Sequence, residues 1–337
     1  MKINRTELLD ALAIVKPGLA NIELIEQSTS FAFFGDKVVT YNDELSISHP
    51  ITGLDITGAV RAEELFQLLS RIKQEEVSIQ TTENELKIKA GNSLAALTLA
   101  AEITLPLEEV EAEKGWRTLP EEFTDNLMFV KDSASRDMSR RVLTCVHVTK
   151  QYMECSDSFQ LIRLYQAGWP FGDFLIPAET VVEIHKLEPS EVAESNGWLH
   201  FRQEKGRTEL SVRILEDTYP DASEHLVVSG HELTFPKNMP EILDRVMVFT
   251  KKDHSMDEEM EVNLTKGSVI VSGSNDYGRF KEKAKASYKG KGGKFWITPS
   301  LLQSILKRSN VCTLGKDKIR FDGNGWEYIA ALKEPKS

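Results

Sequence analysis

Cysteine is scarce: 337 residues carry only Cys145, Cys155 and Cys312. No pair has CxxC or zinc-ligand spacing, which leaves out metal ribbons and disulfide frameworks. Buried thiols in a reducing compartment are expected instead. No apolar run approaches the ~18 residues of a membrane helix, so no membrane partner is expected. The opening Met1-Lys2-Ile3-Asn4-Arg5 leads straight into an amphipathic stretch rather than a signal peptide, and a cytoplasmic location is expected. No low-complexity tract interrupts a composition of 41% apolar and 28% charged residues, ordinary for a globular chain.

Catalytic constellations are missing too. Lys289-Gly290-Lys291-Gly292-Gly293-Lys294 fails the spacing of a phosphate loop: Phe295 follows the lysine, and Tyr288 holds the first-glycine position. A charged hairpin turn fits it better. Cys145 with His147, and Asp157 with Ser158, lack a nucleophile elbow and sit in strand-like surroundings. His225 and His231 have no carboxylate between them and make no HExxH site. The chain reads as non-enzymatic, with no cofactor.

What is present is a triple repeat with a period of about 115 residues. A helical apolar stripe runs through Leu8, Leu9, Leu12 and Val15. It returns at Phe123, Leu127 and Val130, and again at Met239, Ile242, Leu243 and Val246. A second helix signal recurs at Val60-Arg61-Ala62-Glu63-Glu64-Leu65, Ile176-Pro177-Ala178-Glu179-Thr180-Val181 and Ile297-Thr298-Pro299-Ser300-Leu301-Leu302. Each repeat reads as strand, helix, several strands, helix and two or three more strands. The second helices are expected over 61–73, 177–187 and 299–307, the latter two with proline at the first helical position. A strand is expected over 280–288. The fold class is α+β: three domains, 1–115, 116–227 and 228–337, each with two helices on one face of an antiparallel sheet. Their boundaries fall in 106–119 and 217–230.

Net charge is −11, which argues against a nucleic-acid binder, but it divides unevenly: −9 over 1–115, −7 over 116–227 and +5 over 228–337. Cations also gather at the helix ends or just beyond: Lys16; Arg71 and Lys73; Lys131, Arg136, Arg140 and Arg141; His185 and Lys186; Arg245, Lys251 and Lys252; Lys307 and Arg308. Any one complements a helix macrodipole. Recurring at all six helices, they read as one basic surface that attracts phosphates without reading bases.

With these features the chain resembles the bacterial sliding clamps, the beta subunit of DNA polymerase III. The resemblance covers nearly the whole chain. Met1-Lys2-Ile3 before a leucine-rich helix is similar to the family's start. Ser156-Asp157-Ser158-Phe159-Gln160-Leu161 stands where the family has a Thr-Asp-Gly-His-Arg-Leu type segment, and Leu175-Ile176-Pro177 then opens the next helix. Asp217-Thr218-Tyr219-Pro220-Asp221 is similar to the Phe-Pro-Asp-Tyr junction. Ala286-Ser287-Tyr288-Lys289-Gly290 before Phe295-Trp296-Ile297 matches the strand, turn and strand that lead to the last helix.

The resemblance implies a head-to-tail homodimer, a ring of six like domains with helices around a central hole. It would encircle double-stranded DNA, slide, and tether a DNA polymerase. A separate ATP-dependent clamp loader would open it, and an acidic exterior would keep DNA from binding outside. The thirteen Lys and Arg residues above would face the DNA. Partner peptides would dock on Ser158, Phe159, Gln160 and Leu161 with Tyr328, Ile329, Ala330, Ala331 and Leu332. Phe159 and Gln160 replace the usual His and Arg, the Met-Pro-Met type ending is absent, and 333–337 extends the tail. The dimer interface would join Leu94, Leu97 and Leu99, with Glu75 and Glu76 nearby, to Val248, Phe249, Lys281, Lys283 and Lys285. The acidic first domain would meet the basic third. A clamp-fold interaction protein that does not encircle DNA is the alternative.

Overall fold

Asn4 starts the first helix: its Oδ1 accepts hydrogen bonds from the backbone N–H of Thr6 at 2.8 Å and of Glu7 at 3.2 Å, an N-cap that satisfies two orphan donors. The computed structural model describes residues 1–110, 115–203, 207–253 and 257–333.

The first third of the chain holds β1 (Lys2–Asn4), α1 (Arg5–Val15), β2 (Ser30–Gly35), β3 (Lys37–Tyr41), β4 (Leu45–Pro50) and β5 (Ile56–Arg61). It closes with α2 (Ala62–Arg71), β6 (Glu76–Thr81), β7 (Glu85–Ala90) and β8 (Ser93–Thr98). Next come β9 (Arg117–Thr118), α3 (Phe123–Val130), β10 (Cys145–Val148), β11 (Tyr152–Ser156), β12 (Gln160–Tyr165) and β13 (Phe174–Pro177). They are followed by α4 (Val181–Leu187), β14 (Glu191–Ser195), β15 (Trp198–Arg202) and β16 (Glu209–Arg213). The last third holds β17 (His231–Thr234), α5 (Met239–Met247), β18 (Met260–Thr265), β19 (Ser268–Asn275), β20 (Gly278–Lys285), β21 (Ser287–Tyr288) and β22 (Gly293–Ile297). It ends with α6 (Pro299–Gln303), β23 (Val311–Leu314), β24 (Lys318–Gly323) and β25 (Trp326–Ala331). The order strand, helix, four strands, helix, three strands thus occurs three times, with the two-residue β21 added in the last.

The chain packs as two compact units. Residues 1–129 and 168–217 form one, and 130–167 with 218–337 the other. In the first unit one sheet runs β1-β6-β7-β8 and a larger one runs β5-β2-β3-β4-β16-β15-β14-β9. In the second, a long sheet contains β10-β11-β12-β25-β24-β23-β17-β21 and a smaller one runs β20-β19-β18-β22. The larger sheet of each unit is a splice of distant chain segments. Leu45 to Ser48 of β4 pairs with β16 from Val212 to Glu209, and Gln160 to Leu164 of β12 pairs with β25 from Ala330 to Trp326. The smaller sheets are not spliced. Among the described residues, β8 pairs as a strand only with β7, and β20 only with β19.

Helical stripes bury the faces the sequence marks. Leu8, Leu12 and Val15 of α1 and Leu65 and Leu69 of α2 lie in the core of the first unit. Met239, Ile242, Leu243 and Val246 of α5 and Leu301 and Leu302 of α6 do the same in the second. Fully burying one such side chain contributes about 1.5–3 kcal/mol.

Four expected elements are shorter than their patterns. The 61–73 helix runs only over Ala62–Arg71. The second helix of the middle third begins at Val181, because Pro177 ends β13 and a turn follows it: Thr180 donates its N–H (3.1 Å) and its hydroxyl (2.8 Å) to the Pro177 carbonyl. The 280–288 strand is interrupted at Ala286, whose N–H turns to the Gly267 carbonyl. The 299–307 helix is α only to Gln303 and continues as a 3-10 turn over Ile305–Lys307. The glycine-lysine cluster joins β21 to β22, and its Lys289 and Lys294 pair with Glu232 and Glu261. Of the boundary 106–119, residues 111–114 lie outside the described residues, as does the tail 334–337.

Candidate functional site

A groove of about 330 Å³ opens on the second unit where β12 meets β25. One wall is the 156–161 segment. Ser156 Oγ accepts from Ser158 N–H and donates to the Gln160 carbonyl. Asp157 Oδ1 accepts the N–H groups of Phe159 and Gln160, both at 2.9 Å, and its Oδ2 accepts Gln160 Nε2 at 2.8 Å. Asp157 is therefore fully occupied as a turn former, not as part of a catalytic pair. The turn forces Ser158 to φ +77, and Arg140 donates to its hydroxyl at 2.5 Å. Phe159 is left 47% exposed at the rim.

The floor is apolar: Leu161 lies opposite Ile329 in register, and both pack with Leu226, Ala222 and Val228. Pro220, Asp221 and Ala222 from the 217–230 connection form the second wall. His225 and Lys318 add a polar corner, with Lys318 Nζ 3.4 Å from His225 Nδ1.

A buried ionic cluster holds that connection in place. Glu154 accepts Arg163 Nε and Nη2 on one oxygen, and its other oxygen lies 2.9 Å from His147 Nδ1. Arg163 continues to Ser223 Oγ at 3.3 Å, and Tyr219 stacks on His147 with centroids 4.8 Å apart. Burial pushes the Tyr219 phenol well above its ordinary range. Asp221 is held below the usual carboxylate range by the backbone and hydroxyl of Ser223.

Of the nine residues expected to form a peptide pocket, Ser158, Phe159, Gln160, Leu161, Ile329 and Ala331 line this groove. Tyr328 and Ala330 do not. They are buried among the lining, with the Tyr328 hydroxyl 2.5 Å from the Leu301 carbonyl and 2.8 Å from Gln160 Oε1. Leu332 turns away to bond the Asp317 carbonyl through its N–H. Sequence reasoning left out Leu143, His225 and Lys318 as lining residues; neither composition nor spacing marks them.

In the first unit Lys16 lies over the Phe66 ring at 4.5 Å, Arg71 donates to Gln67 at 3.3 Å, and Lys73 is exposed. Lys186 pairs with Glu183 at 2.9 Å, and His185 Nδ1 is 3.6 Å from Asp125. In the second unit Lys131 pairs with Asp132, and Arg245 makes a fork with Glu282 at 2.8 and 2.9 Å. Arg136, Arg141, Lys251, Lys252, Lys307 and Arg308 are exposed. Arg140 is exposed and donates to the Ser158 hydroxyl beside the groove.

The residues expected at a dimer interface divide between two strand edges and their surroundings. Leu94 on β8 is 69% exposed and Leu97 half-buried, but Leu99 is buried against Gly58. A side chain at residue 58 would meet it at 2.7 Å, and φ +131 there also calls for glycine. Glu75 is exposed, and Glu76, on β6, bonds Lys2 at 2.6 Å, two strands away from β8. In the second unit Val248 is 61% exposed, and Phe249 stacks on Phe280 of β20, centroids 6.1 Å apart. Lys281, Lys283 and Lys285 alternate along β20 and all point to solvent.

Solved structures match this architecture end to end. The DNA polymerase III subunit beta of Pseudomonas aeruginosa superposes with a TM-score of 0.84 at 14% identity, covering 99% of this chain and 100% of that one. The DNA polymerase sliding clamp of Bacillus subtilis gives 0.85 at 15% identity, and the DNA polymerase III beta subunit of Thermotoga maritima gives 0.81 at 16%. Each of these two covers 99% of both chains. The chain has the sliding-clamp fold. No family model and no curated protein matches it. The clamp fold is thus carried here by a sequence with few identities to those of the solved clamps. Among the described residues no group of His, Cys, Asp and Glu could hold a metal ion, and no helix is long and apolar enough to cross a membrane.

Proposed function

We propose that this chain is a DNA polymerase processivity factor: a homodimeric ring that encircles duplex DNA, slides along it in the cytoplasm and tethers a polymerase. The reading rests on one observation. By position in the repeat, β8, β16 and β25 are equivalent final strands, and β4, β12 and β20 are equivalent middle ones. Among the described residues β16 pairs with β4 and β25 with β12, while β8 and β20 have no such partner. Two chains head to tail would satisfy both edges with the same splice, giving a closed two-fold assembly. Each chain then contributes three clamp domains, 1–115, 116–227 and 228–337. Opposite net charges on the first and third favour head-to-tail over like-to-like association.

The exposed helix-end cations supply phosphate attraction without base readout, as sliding demands. The groove at Leu161 and Ile329 takes an apolar peptide segment from the polymerase or another partner. The ring reacts on nothing itself, so an ATP-dependent loader opens it. A second reading, a clamp-fold regulator that does not encircle DNA, draws on the pairing of Lys131, Lys186 and Arg245 with carboxylates, which lowers the charge available to DNA.

Loading onto circular DNA followed by linearisation separates the two. Protein that stays on circles and leaves cut ends is a ring. Protein that never becomes topologically linked supports the regulator. The solution mass gives a first check: twice 38.0 kDa is expected, and a stable monomer overturns the ring.

A further inference from the structure

The sheet β20-β19-β18-β22 has two unlike faces. Phe280, Val271, Val262 and Phe295 lie on the side that α5 covers. On the other side Arg279, Lys281, Lys283 and Lys285 project from alternate positions of β20. All four are exposed, and none makes a hydrogen bond or ion pair with the described residues. Directly paired residues of an antiparallel sheet share a face, so Ser274, Ser272 and Ser268 of β19 stand beside Arg279, Lys281 and Lys285. The Lys281 row continues through Ser272 and Glu261 to Trp296, and the Lys283 row through Ile270 and Asn263 to Lys294. Glu261 on these rows is already bonded to Lys294 at 3.1 Å, and Glu259 lines a cleft with Ser274 and Arg279.

The other unspliced sheet supplies a comparison. In the first unit, β1-β6-β7-β8 also carries cations on its outer side. There Lys2 bonds Glu76 at 2.6 Å and Lys87 bonds Glu85 at 3.1 Å, which leaves Lys89 alone. Neutral pairing is the pattern in one sheet; an unmatched row of four is the pattern in the other. Lysines on an edge strand also deter edge-to-edge aggregation. That role explains neither the lack of any acid among the four nor the hydroxyls and indole in register with them.

We infer that this face is a binding surface for a single-stranded nucleic acid backbone. Same-side residues of a strand repeat at about 6.8 Å, a rigid ladder of charge suited to a polymer with one phosphate per extended nucleotide. The serine hydroxyls donate to phosphate oxygens, and Trp296 offers a surface for one base. Contacts to phosphate and a stacked base carry no sequence preference. The site lies on the side of the sheet opposite α5; of the helix-end cations Lys252 reaches it, lining a cleft with Arg279, Lys281 and Trp296. The proposed ring would use the backbone edge of β20 and leave this face open.

The test is fluorescence anisotropy of the full chain with a labelled oligo-deoxythymidylate of about 20 nucleotides. The triple variant Lys281→Thr/Lys283→Thr/Lys285→Thr should weaken binding by about tenfold or more at low salt and reduce the salt slope by about 2. Lysine acetylation of the unaltered protein gives a second readout, independent of any folding defect in the variant. The oligonucleotide should protect Lys281, Lys283 and Lys285 and leave Lys73 and Lys307 reactive. Unchanged binding by a variant of normal circular dichroism, or protection of the helix-end lysines alone, overturns the proposal. A polyglutamate peptide that binds more tightly than the oligonucleotide assigns the face to an acidic protein instead. Loading on circular DNA is read with the unaltered protein and needs no single-strand binding, so this site and the ring reading stand or fall separately.

Discussion

Arg163 donates through both Nε (2.9 Å) and Nη2 (2.7 Å) to one carboxylate oxygen of Glu154, and both side chains are buried. Removing one member leaves the other charge without its partner in a low-dielectric site. Glu154→Ala should cost about 3–5 kcal/mol in denaturant unfolding. It should also release Ser223, and with it the 217–230 connection, from Arg163. A loss under about 1 kcal/mol would mean that water reaches Arg163 and replaces the carboxylate.

Asp157 accepts three hydrogen bonds inside the 156–160 turn. Asp157→Ala should lower stability by about 2 kcal/mol, since hydrogen bonds to a charged acceptor are worth more than neutral ones. Asp157→Asn keeps an acceptor and should recover about half of that loss. Chemical denaturation of the two variants side by side checks the order; equal losses would mean that the charge, not the turn geometry, matters.

His200 is fully buried between Ser195 Oγ (2.9 Å) and Ser211 Oγ (2.8 Å), and burial lowers its pKa to about 4. The unfolded chain takes up this proton near the ordinary value of 6.5, the folded chain only near 4. The neutral imidazole's contribution is therefore complete above about pH 6.5, declines as pH falls, and is gone below about 4. The loss across that window is at most about 3 kcal/mol. His200→Gln should flatten this part of the stability profile; an unchanged slope between pH 6.5 and 4 would assign it to other groups.

Leu94 stands exposed on the free edge strand β8. Leu94→Asp should leave the thermal stability of the chain within about 0.5 kcal/mol. If β8 joins a second copy, the same change should convert a dimer to monomer at micromolar concentration. Native mass spectrometry reads both states directly, and an intact dimer would place the junction elsewhere.

The helices were legible wherever an apolar stripe had one consistent face. Leu8, Leu12 and Val15, and Met239, Ile242 and Val246, mark helices that the structure contains. Pro177 misled because proline suits both the end of a strand and the first turn of a helix, and only the Thr180 bonds decide between them. The groove was half legible. Its 156–161 wall is one continuous segment, whereas Lys318 reaches it from β24 and His225 from the connection after β16. The cations at helix ends were correctly counted, but their availability was not. Glu282, which engages Arg245, lies 37 residues away on a strand. No local pattern announces a partner at that distance.

The splice between β12 and β25 sets a constraint on how the chain is made. Gln160 and Tyr328, joined by a hydrogen bond, are 168 residues apart. During synthesis the first unit has all its strands once β16 leaves the ribosome. At that moment β12 is still a bare edge with Leu161 and Ile162 uncovered. It must wait for β25, and closing so long a loop is slow. The half-made chain is therefore most open to wrong pairing while its last third is being translated, when a chaperone that shields β12 would be of most use.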